Sequence, residues 1–432
     1  MVFRRCFALA TSLLSVLALV CTMSVLAQTL KPLSSSPVPD KQAILEVWSF
    51  LPGNYEAGEQ AFAEVIRSFN RKYPGVRVHI TEMPYATYFD QLRISVLARS
   101  GPDVVTMYGA SQAYSYKDGL LPLQNVVAPE LLQKLKFLSE NYSADGNLYA
   151  LPTGTYGYAL LANNEIFRQA GIDPKEGLAS WDALLTTCRT LARQGVEPIS
   201  SGWRDGFLLE TYIYMISSQL MDKKRLQDWV SYKIQLDDEL FVQTLNYIVA
   251  MRDAGCFGGE AALGRNMYDD TINRYSTGKA AMVTVSSLAV ADWASSEVAG
   301  SSGHMLPMVP ASPNPPMLDA GAEAGWSITQ WTEQPAAALA FVSHLAEPDT
   351  QAAFARLTHV PGNFEGASID INTDLKRTLI EFYALPDNHT GFAVFPLPVL
   401  AVIERNAVPL MSGEMSVARF LDAAQRAFRR FR

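Results

Sequence analysis

The spacing of apolar runs between residues 43 and 108 constrains the fold of this chain most strongly. Residues 43–50 form an apolar run typical of a buried strand, and the next segment places its apolar residues at the spacing of one helix face. Residues 76–81 alternate apolar and polar side chains as a half-buried strand does, and residues 103–108 form a further strand-like run. Because helices separate these strands, the pattern predicts a largely parallel sheet in an α/β domain.

The first 27 residues have the three parts of a secretory signal, and the small side chain that ends them predicts cleavage before Gln28. Two alternatives are an uncleaved transmembrane anchor and lipoprotein processing at Cys21. Residues 28–42 are rich in Ser and Pro and are interpreted as a flexible linker. The protein is therefore expected to be exported, either to the periplasm or to the extracellular face of the cytoplasmic membrane.

The charge balance excludes some classes of partner. The sequence has 35 Lys and Arg residues against 43 Asp and Glu residues. Two of the basic residues lie in the leader, so the exported part has 33 against 43, a formal charge of −10. This balance argues against nucleic acid and against an anionic membrane surface. No later segment holds 18 uncharged apolar residues, so we expect the exported part to be soluble.

The length of the chain predicts two domains. About 400 residues remain after the leader, which is more than one hydrophobic core usually supports. Residues 301–316 are rich in Ser, Gly and Pro and are interpreted as a second crossing between the domains. We assign residues 43–151 and 312–347 to a first lobe, lobe one, and residues 152–311 and 348–432 to a second, lobe two.

Two cysteines, Cys188 and Cys256, lie outside the leader. An oxidising compartment would permit a disulfide bond between them. Cys188 falls on the apolar face of a predicted helix, where a free buried thiol is the commoner state. The pattern therefore favours free thiols, with the disulfide bond as the alternative.

The sequence contains no recognisable catalytic motif. It lacks a G-x-S-x-G elbow, an H-E-x-x-H helix and a Walker A loop, and its five histidines do not have the spacing of metal ligands. The abundant carboxylates leave an acid/base pair for glycoside hydrolysis as an alternative, although no pair stands out. We expect a binding protein rather than an enzyme, with no metal and no cofactor.

Aromatic residues are placed near the predicted strand ends, which is where open α/β sheets bind their ligands. A pyranose has an apolar face that stacks on a ring, and its hydroxyls need directed hydrogen bonds. The pattern therefore favours a sugar, with core packing as the alternative for each single ring. The aromatic set is Trp48, Tyr108, Tyr156, Trp203, Trp293 and Trp326.

Several short stretches, taken in order, resemble one family. They are F-N-R-K-Y-P-G-V-R-V from Phe69, Y-F-D-Q-L from Tyr88, G-P-D-V-V from Gly101, K-D-G-L-L-P-L from Lys117, L-Y-A-L-P from Leu148, N-N-E-I-F-R-Q-A-G-I-D-P from Asn163, S-W-D-A-L-L from Ser180 and G-K-A-A-M from Gly278. Their order and spacing cover nearly all of the exported part. The chain resembles the extracellular solute-binding proteins of ABC importers, in particular the sugar-binding type that includes the maltose-binding protein.

The resemblance implies a periplasmic-binding-protein-like fold. Two α/β lobes would be joined by a multi-segment hinge and would close around a ligand in the cleft between them. It also implies a monomeric receptor that delivers a carbohydrate to the transmembrane subunits of an ABC permease.

The expected ligand-binding residues combine the strand-end aromatics with positions that the resemblance implies. The rings expected at the ligand are those of Trp48, Tyr55, Tyr88, Tyr108, Tyr156, Trp203, Trp293 and Trp326. The polar side chains expected to bind its hydroxyls are those of Asn54, Ser111, Gln112, Thr153, Asp205 and Asn363. Gly321 is expected beside them, in the segment D-A-G-A-E-A-G-W near the second crossing.

Three alternatives to a sugar receptor stay open at this point. The same fold could bind a polyamine, a phosphorylated polyol or a peptide, in which case an excess of carboxylates or a cluster of Arg and Lys would line the cleft. The protein could instead report its ligand to a sensor. It could also be a secreted enzyme acting on polysaccharide.

Overall fold

The computed structural model describes residues 42–54, 57–286, 300–313, 318–358, 360–364, 366–367, 389–390 and 395–431 of the chain. The predicted leader and all but the last residue of the predicted linker lie outside these ranges, as do Tyr55 and Trp293. Within the described part, no helix has the length and apolar character needed to cross a membrane.

Strands and helices alternate along most of the described chain. The strands are β1 (Ala43–Ser49), β2 (Val76–Glu82), β3 (Val104–Met107), β4 (Leu151–Pro152), β5 (Thr155–Asn163), β6 (Glu197–Ser200), β7 (Ala280–Ser286), β8 (Ser301–His304), β9 (Leu318–Ala322), β10 (Gly325–Ile328) and β11 (His389–Thr390). The helices of the first half are α1 (Gly58–Lys72), α2 (Tyr85–Ala98), α3 (Ala110–Ser115), α4 (Pro129–Leu132), α5 (Asn164–Gln169), α6 (Pro174–Gly177), α7 (Trp181–Arg193) and α8 (Phe207–Gln219). Those of the second half are α9 (Lys223–Val230), α10 (Glu239–Asp253), α11 (Glu260–Leu263), α12 (Asn273–Ser276), α13 (Pro335–Ala346), α14 (Pro348–Thr358), α15 (Leu397–Ser412) and α16 (Val417–Phe431).

Lobe one is built on a sheet with the strand order β2-β1-β3-β10-β4. The first three of these strands run parallel, as the alternation of strands and helices predicted, whereas β10 pairs antiparallel with β3 and with β4. Alternate residues of β1 are buried, and α1 packs its apolar face on the same core. The rings of Phe69 and Phe341 meet there at 5.1 Å, so α1 and α13 share one core.

Lobe two is built on a second sheet, with the strand order β11-β9-β5-β7-β6 and with β8 also paired to β5. The helix α7 begins as its sequence predicts, because the Ser180 hydroxyl accepts a hydrogen bond from the backbone amide of Ala183 at 3.2 Å. The terminal pair α15 and α16 packs on the helices of this lobe and completes its core. The two sheets with their helices confirm the predicted fold class of two α/β lobes.

The cysteines Cys188 and Cys256 form a disulfide bond, so the expectation of free thiols was wrong. Cys188 does lie on the buried face of α7, but residue 256, which follows α10, lies directly against it, with the two Cα atoms 4.8 Å apart. Both side chains are fully buried. The error arose because burial was read as an argument against pairing, although a bridge between two packed elements is buried as well.

In the described part of the chain, the passages between the lobes fall at three places. The first is between β4 and β5, the second between β9 and β10, and the third begins at residues 360–361 after α14. The backbone amide of Glu323 donates to the carbonyl of Gly154 at 2.8 Å, and the amide of Thr155 donates to the carbonyl of Pro361 at 2.9 Å. The three crossings are therefore hydrogen-bonded to each other and form one hinge.

Two of the predicted lobe boundaries, residues 312 and 347, differ from those of the structure. Both β8 and β9 pair with β5, so these two strands belong to lobe two, the second as far as Ala322. The helix α14 packs on α1, with the rings of Phe62 and Phe354 5.1 Å apart, so lobe one continues through Thr358. The composition of residues 301–316 suggested a crossing, but the described residues of that segment belong to β8 and to the loop that follows it in lobe two.

Candidate ligand-binding site

The carboxyl ends of the parallel strands β1 and β3 meet at one edge of the first sheet. In an open α/β sheet this is the edge that binds ligands. Trp48 lies at the end of β1 and is half-buried, and Tyr108 directly follows β3 and is also half-buried. Asn54 ends the single helical turn after β1. The structure therefore brings these three predicted positions to the same edge.

Ser111 and Gln112 lie on α3, which begins two residues after Tyr108. The side-chain oxygen of Gln112 accepts a hydrogen bond from the backbone amide of Tyr108 at 3.2 Å, which fixes the loop before the helix. Ala110 enters α3 with a φ of 49°. A residue with a Cβ rarely occupies this left-handed region, and such strain concentrates at functional sites. The first turn of α3 is therefore held in a specific conformation at the sheet edge.

The helix α3 of lobe one also contacts lobe two. The ring of Tyr114 lies 5.9 Å from that of Tyr232 and 6.0 Å from that of Phe431, both of which belong to lobe two. The ammonium of Lys117 lies 4.0 Å from the centre of the Tyr114 ring, at a distance suited to a cation–π contact. We call Tyr114, Tyr232 and Phe431 the interlobe aromatic cluster.

Sequence reasoning missed this cluster. Tyr114 could have been found, because it stands two residues after the predicted binding residue Gln112. Tyr232 and Phe431 lie far from it in the sequence, and nothing local marks them as a pair. Their meeting follows from the packing of α16 against the rest of lobe two.

The hinge crossings hold four of the predicted residues. Tyr156 pairs with Gly321 between β5 and β9. The indole nitrogen of Trp326 donates to the Thr153 hydroxyl at 3.2 Å. The crossings approach so closely that a Cβ placed on Gly154 would lie 3.3 Å from side-chain atoms of Glu323 and of Val360. Trp326 is almost fully buried and contributes to the hinge and the core of lobe one.

Tyr88, Trp203 and Asp205 have structural roles in place of the predicted position at the ligand. The Tyr88 ring is fully buried in the core of lobe one, and its hydroxyl hydrogen-bonds to the carbonyl of Thr106 at 2.8 Å. Trp203 is packed within the core of lobe two, 5.1 Å from the ring of Phe257. The Asp205 carboxylate accepts hydrogen bonds from the backbone amides of Phe207 and Met267, so it ties two loops together.

Asn363 is fully buried just after the third crossing begins. Its backbone amide donates to the side chain of Gln351, and its carbonyl accepts from the amide of Lys136. Neither the oxygen nor the nitrogen of its side chain has a hydrogen-bond partner among the described residues. A buried amide in this state costs about 1–3 kcal/mol per group, so it is a candidate for a contact made only in the liganded protein.

Charge is scarce among the predicted binding residues. Of the predicted residues that the structure describes, Asp205 alone is charged, and its carboxylate is already hydrogen-bonded to two backbone amides. Glu323, at the second crossing, is buried, and burial raises the pKa of its carboxyl to about 7. No group of three His, Cys, Asp or Glu side chains that could hold a metal ion occurs in the described ranges.

Comparison with known proteins identifies the family. Residues 53–352 match the model of the family described as bacterial extracellular solute-binding protein. A curated relative, the arabinooligosaccharide-binding protein of Bacillus subtilis (strain 168), is 25% identical over 202 residues. That match spans 45% of this chain and 44% of the relative, less than half the length of each.

Solved structures share the whole fold at low identity. One comes from work on xylan utilization by the thermophilic bacterium Caldanaerobius polysaccharolyticus, with a TM-score of 0.76, 16% identity, and coverage of 89% of this chain and 99% of that one. A chitin oligosaccharide binding protein has a TM-score of 0.75 and 17% identity, with coverage of 90% of this chain and 98% of that one. These likenesses show the two-lobed fold, and the family match covers most of the chain. The chain belongs to the bacterial extracellular solute-binding proteins.

Proposed function

We propose that this protein is an extracytoplasmic receptor that captures a mono- or oligosaccharide by lobe closure and delivers it to an ABC permease. In this proposal Trp48 and Tyr108 stack on sugar rings at the sheet edge. Ser111, Gln112 and Thr153 would bind hydroxyls, although the first two are almost fully buried in this structure, and Asn363 would join them when the ligand is bound.

The observation that carries the proposal is the chemistry of the sheet edge. Its described predicted residues are aromatic or uncharged and polar. Trp48 and Tyr108 retain partly accessible rings there. Binding of a polyamine would require unpaired carboxylates. Binding of a phosphorylated polyol would require Arg or Lys side chains that pair with its phosphate oxygens. A sugar needs neither, since rings and directed neutral hydrogen bonds are enough to bind it.

Closure of the lobes would strengthen this binding. The interlobe aromatic cluster brings α3, the helix that carries Ser111 and Gln112, against α16 of lobe two. Excluding water lowers the local dielectric constant, and each hydrogen bond to a sugar hydroxyl then contributes more.

The proposed role in transport is supported by the family and by the relatives. The family is one of extracellular binding proteins, and the Bacillus subtilis relative is named for binding an arabinooligosaccharide. A receptor of this kind acts outside the cytoplasm, as a monomer, with the transmembrane subunits of a permease as its partner. No catalytic step is part of the proposal.

A thermal-shift screen of the chain from Gln28 tests the proposal. Mono- and oligosaccharides are compared with polyols, polyamines and amino acids, because a ligand that binds the folded state alone stabilises it by about 2.7 kcal/mol at 100 times its Kd. We expect a rise in melting temperature with one sugar class. A rise with a polyamine or a phosphate ester and none with any sugar would refute the substrate class and keep the receptor fold.

The ligand is then checked on matched variants. Trp48→Ala should weaken binding of the sugar that the screen identifies, whereas Trp331→Ala serves as control. The indole of Trp331 donates to the carbonyl of Pro102 at 2.9 Å, away from the carboxyl ends of β1 and β3. Release of intact sugar on denaturation, without turnover, would separate a receptor from a polysaccharide-active enzyme.

A further inference from the structure

Tyr85 is an exposed aromatic residue at the sheet edge that carries the candidate binding residues. It is the first residue of α2, and this helix begins shortly after β2 ends at Glu82. The strand β2 runs parallel to β1, with Glu82 opposite Ser49, so the loops after both strands leave the sheet at the same edge. Tyr85 is 41% exposed, whereas most large apolar side chains of lobe one are buried.

The Tyr85 ring is in contact with the aromatic residues that follow β1. The buried ring of Phe50, which directly follows β1, lies 5.1 Å from the ring of Tyr85 and 5.7 Å from that of Tyr108. Tyr88, one turn further along α2, also contacts Phe50, and its hydroxyl donates to the carbonyl of Trp48 at 3.2 Å. The first turn of α2 is therefore fixed to the end of β1, and Phe50 connects Tyr85 with the predicted binding residue Tyr108.

The rings of Tyr85 and Tyr108 face in different directions. The plane of Phe50 is nearly perpendicular to that of Tyr85, at 89°, but is inclined by 30° to that of Tyr108. The planes of the two tyrosines are therefore strongly inclined to each other. Because a pyranose presents one flat apolar face to a ring, a single sugar unit cannot stack on both, and each tyrosine suits a separate unit.

Tyr85 also lies at the end of the sheet that is far from the hinge. The strand order β2-β1-β3-β10-β4 places β2 at one end, and the hinge crossings adjoin β10 and β4 at the other. Neighbouring strands lie about 4.8 Å apart, so β2 and β4 are separated by about 19 Å. A ligand that reaches from Thr153, directly after β4, to Tyr85 must therefore contain several sugar units.

We propose that Tyr85 forms an outer subsite for a sugar unit, and that the ligand is an oligosaccharide that extends along the sheet edge from the hinge to α2. This inference rests on the proposed function, since it assigns further residues to the same sugar site. The inner units contact Tyr108, Trp48 and the polar groups near the hinge. The outer unit stacks on Tyr85, whose ring is accessible and is held in place by Phe50.

Calorimetric titration with sugars of increasing length tests the inference. The probes are arabinose, xylose, glucose and N-acetylglucosamine, each with its linear oligosaccharides from the disaccharide to the pentasaccharide. We expect the affinity of the wild type to rise with length in one series. Tyr85→Ala should lower the affinity for the longest member by about 2- to 10-fold, the value of one aromatic contact, and leave that for the shortest bound member unchanged.

Three further variants serve as controls. Tyr85→Phe keeps the ring and should retain the wild-type affinities. Tyr73→Ala should also leave them unchanged at every length, because Tyr73 precedes β2, at the opposite end of the same strand, and its ring packs on Phe69 at 4.9 Å. Trp48→Ala removes a ring expected at the inner units and should weaken binding of every member.

The outcomes separate this inference from the proposed function. A wild type that binds a monosaccharide as tightly as the longest member of its series overturns the inference and keeps the sugar receptor. Tyr85→Ala overturns it in the same way if it changes the affinity for no member, or for all members equally. Absence of binding by every sugar counts against the proposed function and against the inference with it. If melting curves show that Tyr85→Ala does not fold, Tyr85→Leu, which keeps the apolar volume without the ring, replaces it.

Discussion

Reduction of the Cys188–Cys256 disulfide should destabilise lobe two by about 4 kcal/mol. The bond closes a loop with a sequence separation of 68 residues. The loss of loop entropy in the unfolded chain, which grows with the logarithm of this length, gives that value at 25 °C. For a unit of 150–250 residues, a change of this size lowers the melting temperature by roughly 10 °C. The bond thus accounts for a large fraction of the 5–15 kcal/mol that is typical of a folded domain.

The assay is guanidinium unfolding of the chain with and without reductant, followed by circular dichroism. Both sulfur atoms are fully buried, so the protein is reduced in denaturant and then refolded. Cys188→Ala with Cys256→Ala is the matched control, whose midpoint should not respond to reductant. An unchanged midpoint, with mass spectrometry of alkylated protein showing two free thiols, would refute the reasoning. Two free thiols in protein isolated under oxidising conditions would refute the bond itself.

Four further predictions separate binding, packing, closure and ionisation. Trp48→Ala should weaken sugar binding by about 1–3 kcal/mol, measured by calorimetry, with a small change in melting temperature. Trp203→Ala should instead lower stability by about 3–5 kcal/mol in a denaturant titration, because it leaves a cavity in the core of lobe two; intact stability with lost binding would contradict its placement. Tyr114→Ala should weaken affinity by about 1–2 kcal/mol through lost interlobe ring contacts, whereas Tyr247→Ala, which removes a ring contact within lobe two, should leave affinity unchanged. The folded protein holds the proton of the Glu323 carboxyl more tightly than the unfolded chain does, so this group favours folding fully below pH 4.5 and no longer above about pH 7. The wild type should therefore lose up to about 3 kcal/mol of its free energy of unfolding over this pH range, and Glu323→Gln should abolish that loss.

The fold was largely predictable because its determinants are local and repeated. The alternation of β1 and the single apolar face of α1 are visible in sequence, and each implies a buried side. The lobe boundaries were harder to predict. The assignment of α14 to lobe one depends on the contact of Phe354 with Phe62, almost 300 residues apart in sequence, and no local pattern encodes that distance.

Site residues were predictable where strand order alone determines their position. They were less predictable where the packing of distant side chains determines whether a residue is exposed. Trp48 and Tyr108 follow buried parallel strands, so the topology brings them to one edge of the sheet. Trp203 also stands in a polar loop sequence, yet the loop folds inward and the ring is 1% exposed. A tryptophan in a turn is compatible with stacking on a sugar and with anchoring the turn to a core. Sequence does not distinguish these outcomes, because the choice depends on which distant side chains fill the space.

The geometry divides recognition and closure between different residues. The candidate contacts at the sheet edge lie on lobe one, whereas the interlobe aromatic cluster joins lobe one to lobe two. The measured dissociation constant of such a receptor is the intrinsic value divided by the fraction of molecules competent to close. A residue such as Tyr114, which contacts lobe two, can therefore change affinity without touching the sugar. A measured binding constant combines both contributions, so the specificity of the cleft is best compared between ligands on the same protein variant, where the closure contribution cancels.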